Sequence, residues 1–113
     1  MTDCAFCRIA RGEAPARIVY QDGTVTAFHD LNPQAPTHVL IIPNSHIESV
    51  NQVESADKDL LGRLFLVARQ VAEAEGVAAG YRLVVNTGAQ AGQSVFHLHV
   101  HLLGGRRLGW PPG

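Results

Sequence analysis

A chain of 113 residues has room for one compact domain with its own core and little room for a second. Lys and Arg number 9 against 10 Asp and Glu, and no basic cluster or arginine stripe breaks that balance, which argues against a phosphate-neutralising surface for nucleic acid. The longest apolar runs are too short to span a bilayer, and Asp3 and Cys4 stand where a secretory leader would be basic and then apolar, so no membrane association and a cytoplasmic location are expected.

Met1 to Arg11 reads as a short helix, with Phe6, Ile9 and Ala10 on one face and Gly12 as its stop. Cys4 and Cys7 form a C-x-x-C pair within it, which in a reducing compartment suggests metal ligation or redox chemistry more than a structural disulfide. Pro15 forces a turn. Arg17 to Tyr20 and Val25 to Phe28 are β-prone runs, and the Asp22-Gly23 pair between them predicts a hairpin through residues that tolerate positive φ. His29 follows Phe28 and faces away from it, as a satisfied or exposed polar residue rather than a catalyst. Pro33 and Pro36 mark 30–36 as a loop, and Thr37 to Pro43 follows as a β-branched, apolar and central strand.

Asn44 to Gln52 is irregular or a single helical turn, with His46 just past the strand end, where functional groups collect. Ser55 is the expected cap of one long helix in which Leu60, Leu61, Leu64, Val67, Ala68 and Val71 recur at helical spacing. Asp57 and Asp59 complement its positive end and Gly76 stops it. Gly62 costs that helix roughly 1 kcal/mol relative to alanine, which hints at close packing against the sheet. Tyr81 to Val85 is a further strand. In the loop from Asn86 to Ser94, the small residues Gly88, Gly92 and Ser94 leave main-chain amides exposed for a phosphate cradle. The tail from Arg106 to Gly113, with Trp110-Pro111-Pro112, continues neither helix nor sheet and is expected to lie across a surface, that of a partner subunit included.

The chemistry concentrates in His97-Leu98-His99-Val100-His101-Leu102-Leu103. In an extended strand this spacing sends His97, His99 and His101 to one side and Leu98, Val100 and Leu102 to the other. Three imidazoles in strict alternation suit nucleophilic attack, acid–base work or metal ligation. Their use together on one ion ranks lowest, because positions i and i+4 of a strand lie roughly 13 Å apart.

That run resembles the histidine triad (HIT) signature. Ala27-Phe28-His29-Asp30, Pro33-Gln34-Ala35-Pro36-Thr37-His38, Gly80-Tyr81-Arg82, Val85-Asn86, Gly92-Gln93-Ser94-Val95 and the ending Gly109-Trp110-Pro111-Pro112-Gly113 look like the Hint branch, the purine nucleoside phosphoramidases, over nearly all of the chain from Arg17 onward. The resemblance implies a single HIT domain over 1–113. Its fold would be α+β, a five-stranded antiparallel sheet with one long and one short helix, paired into a homodimer with a continuous sheet. It also implies hydrolysis of the phosphorus–nitrogen bond of purine nucleoside 5'-phosphoramidates, such as adenosine 5'-monophosphoramidate, through a nucleotidyl-histidine. By motif, His99 would be the nucleophile, with His101, His38 and Ser94 beside the phosphate and leaving group. Asn86, Gln93 and the Ser94 and Val95 amides would help to bind phosphate, Asp30 would hold the ribose, and Phe6, Ile9, Phe28 and Leu31 would enclose the purine. Each of these four apolar residues also reads as ordinary core.

The Cys4-Ala5-Phe6-Cys7 segment looks like that of members that bind zinc, in which His46 and His97 would complete two thiolates and two imidazoles, a closed structural set stapling the N-terminal segment 1–12 to the sheet. Free thiols on the terminus are the competing expectation, and the chemistry itself would need no cofactor. Two other functions remain open at this point. A triad protein acting on dinucleoside polyphosphates is disfavoured by the Trp-Pro-Pro-Gly ending, and a nucleotide-binding or interaction module with incidental activity is disfavoured by the full set of catalytic side chains.

Overall fold

The computed structural model describes residues 4–113; the first three residues of the expected N-terminal helix lie outside the described residues. That helix, α1, runs over Ala5–Ala10 only. Its start is set by Cys4, whose sulfur accepts from the Cys7 amide at 3.4 Å, and its end by Gly12 at φ +76°.

Strands β1 (Ile18–Gln21) and β2 (Val25–His29) form the expected hairpin, but not through positive φ at Asp22-Gly23. The Asp22 carboxylate instead accepts from the Thr24 and Val25 amides, both at 2.8 Å, which fixes the turn from the side chain. Tyr20 and the Arg63 guanidinium also donate to Asp22, at 2.7 and 2.6 Å, and hold its carboxyl well below the usual range, Arg63 being the larger influence.

Strand β3 (Thr37–Pro43) is buried along its whole length. With β4 (Tyr81–Val84) and β5 (Val100–Gly104) it completes an antiparallel five-stranded sheet of order β1-β2-β3-β5-β4. The chain is therefore α+β, and β3 is central as expected. Its register sets Leu40 opposite His101 and His38 opposite Leu103, which brings two histidines distant in sequence onto one face.

Helix α2 (Lys58–Ala74) covers the other face. Ser55 is not its cap. A single tight turn over Ser55–Asp57 precedes it, and the Asp57 carboxylate accepts from the Glu54 amide at 2.9 Å. Leu64, Val67, Ala68 and Val71 are buried against Val39, Ile41, Leu98, Val100 and Leu102, while Leu60 and Leu61 are half-buried at the margin. Gly62 is exposed, and a methyl group built there meets nothing within 4 Å, so it does not mark close packing. On the opposite face α1 seals a smaller cluster of Phe6, Phe28, Leu40 and Ile42.

Strand β5 begins at Val100, so His97, Leu98 and His99 approach it as irregular chain, held by the Leu98 amide donating to the Ile47 carbonyl at 2.6 Å. The alternation survives: Leu98, Val100 and Leu102 enter the α2 layer, and the histidines take the α1 side. The tail crosses its own sheet edge. Arg82 donates to the Gly109 carbonyl at 2.8 Å and lies 5.9 Å from the Trp110 ring. Among the described residues no helix is long and apolar enough to cross a membrane.

Candidate active site

A cavity of about 280 Å³ opens on the α1 side of the sheet. Phe6 and Ile9 from α1, Phe28 from β2, Asp30 and Leu31 from the following loop, Ser94 and Val95, and His99 and His101 line it. Phe6 is the keystone of the apolar wall, edge-on to Phe28 at 5.4 Å and to His99 at 5.2 Å. Leu31 is 93% exposed, so it overhangs the cavity rather than packing in the core.

His99, His38 and His101 each have their tautomer set by a partner on one nitrogen. His99 is buried, and its Nδ1 donates to the His97 carbonyl at 2.7 Å, so Nε2 keeps the lone pair. His38 Nδ1 accepts from the Gln34 amide at 3.0 Å, which places its proton on Nε2. That Nε2–H donates to His101 Nδ1 at 2.9 Å, and His101 consequently carries its own proton on Nε2. His101 Nε2 is buried without a partner among the described residues, a donor left open on a residue of the cavity wall. Burial pushes His38 down, and pushes His101 down to about 4 with smaller contributions from the charges of His99 and His38, so both are neutral at pH 7.

Asp30, His38 and His101 come close enough to suggest a second cation site. The Gln34 amide opposes it. A metal on His38 Nε2 would require a proton on Nδ1, pointing at an N–H donor 3.0 Å away. The trio is a hydrogen-bonded chain, with the Asp30 carboxylate 3.4 Å from His38 Nε2.

Cys4, Cys7, His46 and His97 meet at the far end of α1. Their four donor atoms all lie within 4.8 Å of one another, an arrangement that could hold a metal ion. His97 Nε2 donates to the Pro43 carbonyl at 2.8 Å, which leaves Nδ1 free toward the sulfurs. Burial, then the neighbouring Cys4, push the Cys7 thiol up, so without a cation nearby it stays protonated at neutral pH.

Not every sequence-predicted residue reaches the cavity. Gln93 is buried, its Oε1 accepting from the Gly88 amide at 2.9 Å and its Nε2 donating to the Glu48 and Val95 carbonyls at 2.8 and 3.1 Å. It braces the loop and has no group left for phosphate. Asn86 stays behind the same loop, with Nδ2 3.7 Å from where a Gly92 Cβ would stand. The amides of Ala91, Gly92 and Gln93 are spent on carbonyls inside the loop and that of Gly88 on Gln93 Oε1, whereas those of Ser94 and Val95 donate to no main-chain group among the described residues. Pro15, Ala16, Leu40 and His29 also line the cavity. Leu40 had a signal, because it lies two residues beyond His38 on the same face of β3. Pro15 and Ala16 had none.

The profile of the HIT domain matches residues 11–108. The chain belongs to the HIT family. Among similar HIT proteins, one from Escherichia coli strain K12 named purine nucleoside phosphoramidase is 56% identical over 105 residues, covering 92% of this chain and 88% of that relative. A HIT family hydrolase from Legionella pneumophila Philadelphia 1 superposes with a TM-score of 0.96 at 51% identity, over 98% of this chain and 100% of that one. A histidine triad protein from Clostridium difficile does so at 0.92 and 40% identity, over 96% of each.

Proposed function

We propose that this protein is a HIT-family hydrolase that cleaves the P–N bond of purine nucleoside 5'-phosphoramidates through a covalent nucleotidyl-His99 intermediate. One observation carries the reading: His99 Nδ1 is committed to the His97 carbonyl, so the nitrogen left in this cavity-lining ring is an unprotonated nucleophile. In the first step His99 Nε2 attacks the α-phosphorus, the P–N bond breaks and the amine leaves with a proton acquired at the cavity mouth, where the exposed Ser94 hydroxyl stands. Charge building on the phosphate oxygens is met by His101 Nε2–H and the Ser94 and Val95 amides. Water then attacks the nucleotidyl-histidine, releasing the 5'-monophosphate and restoring His99. Phe6, Ile9, Phe28 and Leu31 take the purine, and Asp30 takes the ribose hydroxyls.

The proposed metal at Cys4, Cys7, His46 and His97 is zinc. Tetrahedral zinc with Zn–S of about 2.3 Å and Zn–N of about 2.0 Å sets its ligand atoms roughly 3.5 Å apart for S to N and roughly 3.3 Å for N to N. The corresponding distances are 3.4, 3.4 and 3.5 Å for sulfur to Nδ1, and 3.2 Å between His46 Nδ1 and His97 Nδ1. All positions are filled by protein, so such an ion would supply structure, anchoring α1 to the sheet, and no step of the reaction needs it. We further take 1–113 as a single HIT domain in a cytoplasmic homodimer, a reading favoured by the edge position of β4 and by Phe65 and Leu66, each 52% exposed on α2.

The test is intact mass spectrometry on protein quenched early in turnover of adenosine 5'-monophosphoramidate, with His99→Ala in parallel. Wild type is expected to turn over and to gain one nucleotidyl group while the variant does neither. Comparable turnover by both would refute the mechanism.

A further inference from the structure

The proton on His101 Nε2 has an origin outside the cavity. His101 Nδ1 accepts because His38 Nε2 donates, and His38 Nε2 donates because its Nδ1 faces the Gln34 N–H. The direction of one main-chain amide, seconded by the Asp30 carboxylate 3.4 Å from His38 Nε2, therefore sets which nitrogen of His101 carries hydrogen. If the Pro33–Gln34 peptide, which carries this N–H, rotated away, His38 could place its proton on Nδ1, its Nε2 would become an acceptor, and His101 would have to turn its proton inward onto Nδ1. The open donor on the cavity wall would be gone.

The loop that carries Gln34 has little of its own to hold it, with the Asn32 amide on Asp30 Oδ1 at 2.8 Å and Gln34 Nε2 on the Asn32 carbonyl at 3.0 Å. Its outer side is gripped by the corner that follows the histidine strand. Arg106 Nε and Nη2 both donate to the Gln34 carbonyl, at 3.2 and 3.0 Å. Gly105, at φ +89°, lies so close that an added Cβ would stand 2.9 Å from Pro36 Cβ. Among the described residues Arg106 has no carboxylate partner, and its remaining bond goes to the Arg107 carbonyl at 3.1 Å. The planar fork thus puts two charge-assisted donors on the oxygen of the Gln34–Ala35 peptide, the plane next to the Pro33–Gln34 peptide that carries the Gln34 N–H, so it holds residue 34 from its C-terminal side.

We propose that Arg106 is a positioning residue for the reaction at His99: by holding the Gln34 carbonyl, one Cα away from the Gln34 N–H, it keeps residue 34 in place with that N–H aimed at His38 and so helps to keep the proton of His101 on Nε2. The part that this proton plays in turnover rests on the phosphoramidate-hydrolase reading; its place on His101 does not. Arg106 is exposed and does not line the cavity, so its removal acts through the tautomer of His101 and not through the purine or ribose contacts.

The experiment compares wild type, Arg106→Ala, Arg106→Lys and the neighbouring Arg107→Ala by long-range ¹H–¹⁵N spectra of the imidazoles and by steady-state kinetics on adenosine 5'-monophosphoramidate. Wild type and Arg107→Ala should show His38 and His101 each protonated on Nε2. Arg106→Ala should show mixed tautomers, with kcat lower by about tenfold and KM within about twofold, and Arg106→Lys, which keeps one donor, should recover part of both. The proposal is overturned if wild-type His101 carries its proton on Nδ1, if Arg106→Ala changes neither tautomers nor kcat, or if kcat falls while both rings keep the wild-type pattern. Absence of turnover by wild type would refute the phosphoramidate reading, while the spectra would still decide the place of Arg106.

Discussion

Acidification should weaken the fold through His101 by an amount that can be isolated. Burial holds the folded-state pKa of this imidazole at about 4, whereas in the unfolded chain it is about 6.5. Between those values the unfolded state binds a proton that the folded state refuses, so stability falls as pH drops through that window, and this group adds no further loss below it. Integrating the two titrations from pH 7 to pH 5 gives about 2 kcal/mol from His101 alone; a folded-state value one unit higher would still leave about 1.5 kcal/mol. Urea denaturation of wild type and His101→Gln at both pH values measures it. Wild type should lose about 2 kcal/mol more than the variant over that interval, and the wild-type ¹⁵N spectrum of His101 should remain that of a neutral ring at pH 5. Parallel losses in the two proteins, or a charged His101 at pH 5, would refute the argument that burial keeps this donor neutral.

Gly62→Ala should stabilise the protein by about 1 kcal/mol, since the position is helical, exposed and sterically open, and a thermal melt that moves down would contradict it. Gly104→Ala should destabilise by about 1–3 kcal/mol, because its Cβ would stand 2.9 Å from Val77 Cβ and 3.1 Å from both Val77 γ-carbons. Adding Val77→Ala should return part of that loss in a double-mutant cycle, and strictly additive losses would show the clash to be relieved elsewhere. Protein purified without chelator should carry about one zinc per chain. Cys7→Ser should lose the metal and, at free zinc a thousandfold above the wild-type Kd, fold about 4 kcal/mol less stably than wild type. Substoichiometric zinc in wild type would refute the site.

The fold was legible where one element had to satisfy one period. Thr37 to Pro43 is buried on both faces and reads as continuous apolar β, and Leu64, Val67, Ala68 and Val71 keep helical spacing against the sheet. Ends were less legible because they depend on individual hydrogen bonds. Cys4 starts α1 through its sulfur, and α2 starts only after a Ser55–Asp57 turn in which the Asp57 carboxylate accepts from the Glu54 amide, side-chain geometry that composition does not encode. The site divided in the same way. Residues on strands, such as His38 and His101, and His99 just ahead of β5, were placed by alternation. Gln93 shows the limit: a polar residue in a glycine-rich loop reads as a phosphate ligand until its carbonyl partners at Glu48 and Val95 are known, and those lie 45 and 2 residues away.

Alternation also explains why three identical side chains part company. The alternating run into β5 puts His97, His99 and His101 on one side, but what each ring does follows from which of its nitrogens is already occupied. In His97 the Pro43 carbonyl takes Nε2–H and turns Nδ1 toward two sulfurs. In His99 the carbonyl of His97 takes Nδ1–H and frees Nε2. In His101 the proton of His38 fills Nδ1 and leaves Nε2–H as a donor. Under the proposed mechanism a ligand, a nucleophile and a donor thus arise from one repeated residue, and two of the three assignments depend on main-chain carbonyls, at Pro43 and at His97 itself. His97 serves both ends, with its ring in the cysteine cluster and its carbonyl on the nucleophile. Any displacement of that cluster therefore moves the acceptor that sets the tautomer of His99, which, under the proposed zinc site and mechanism, makes the first histidine of the run structural by its side chain and functional by its backbone.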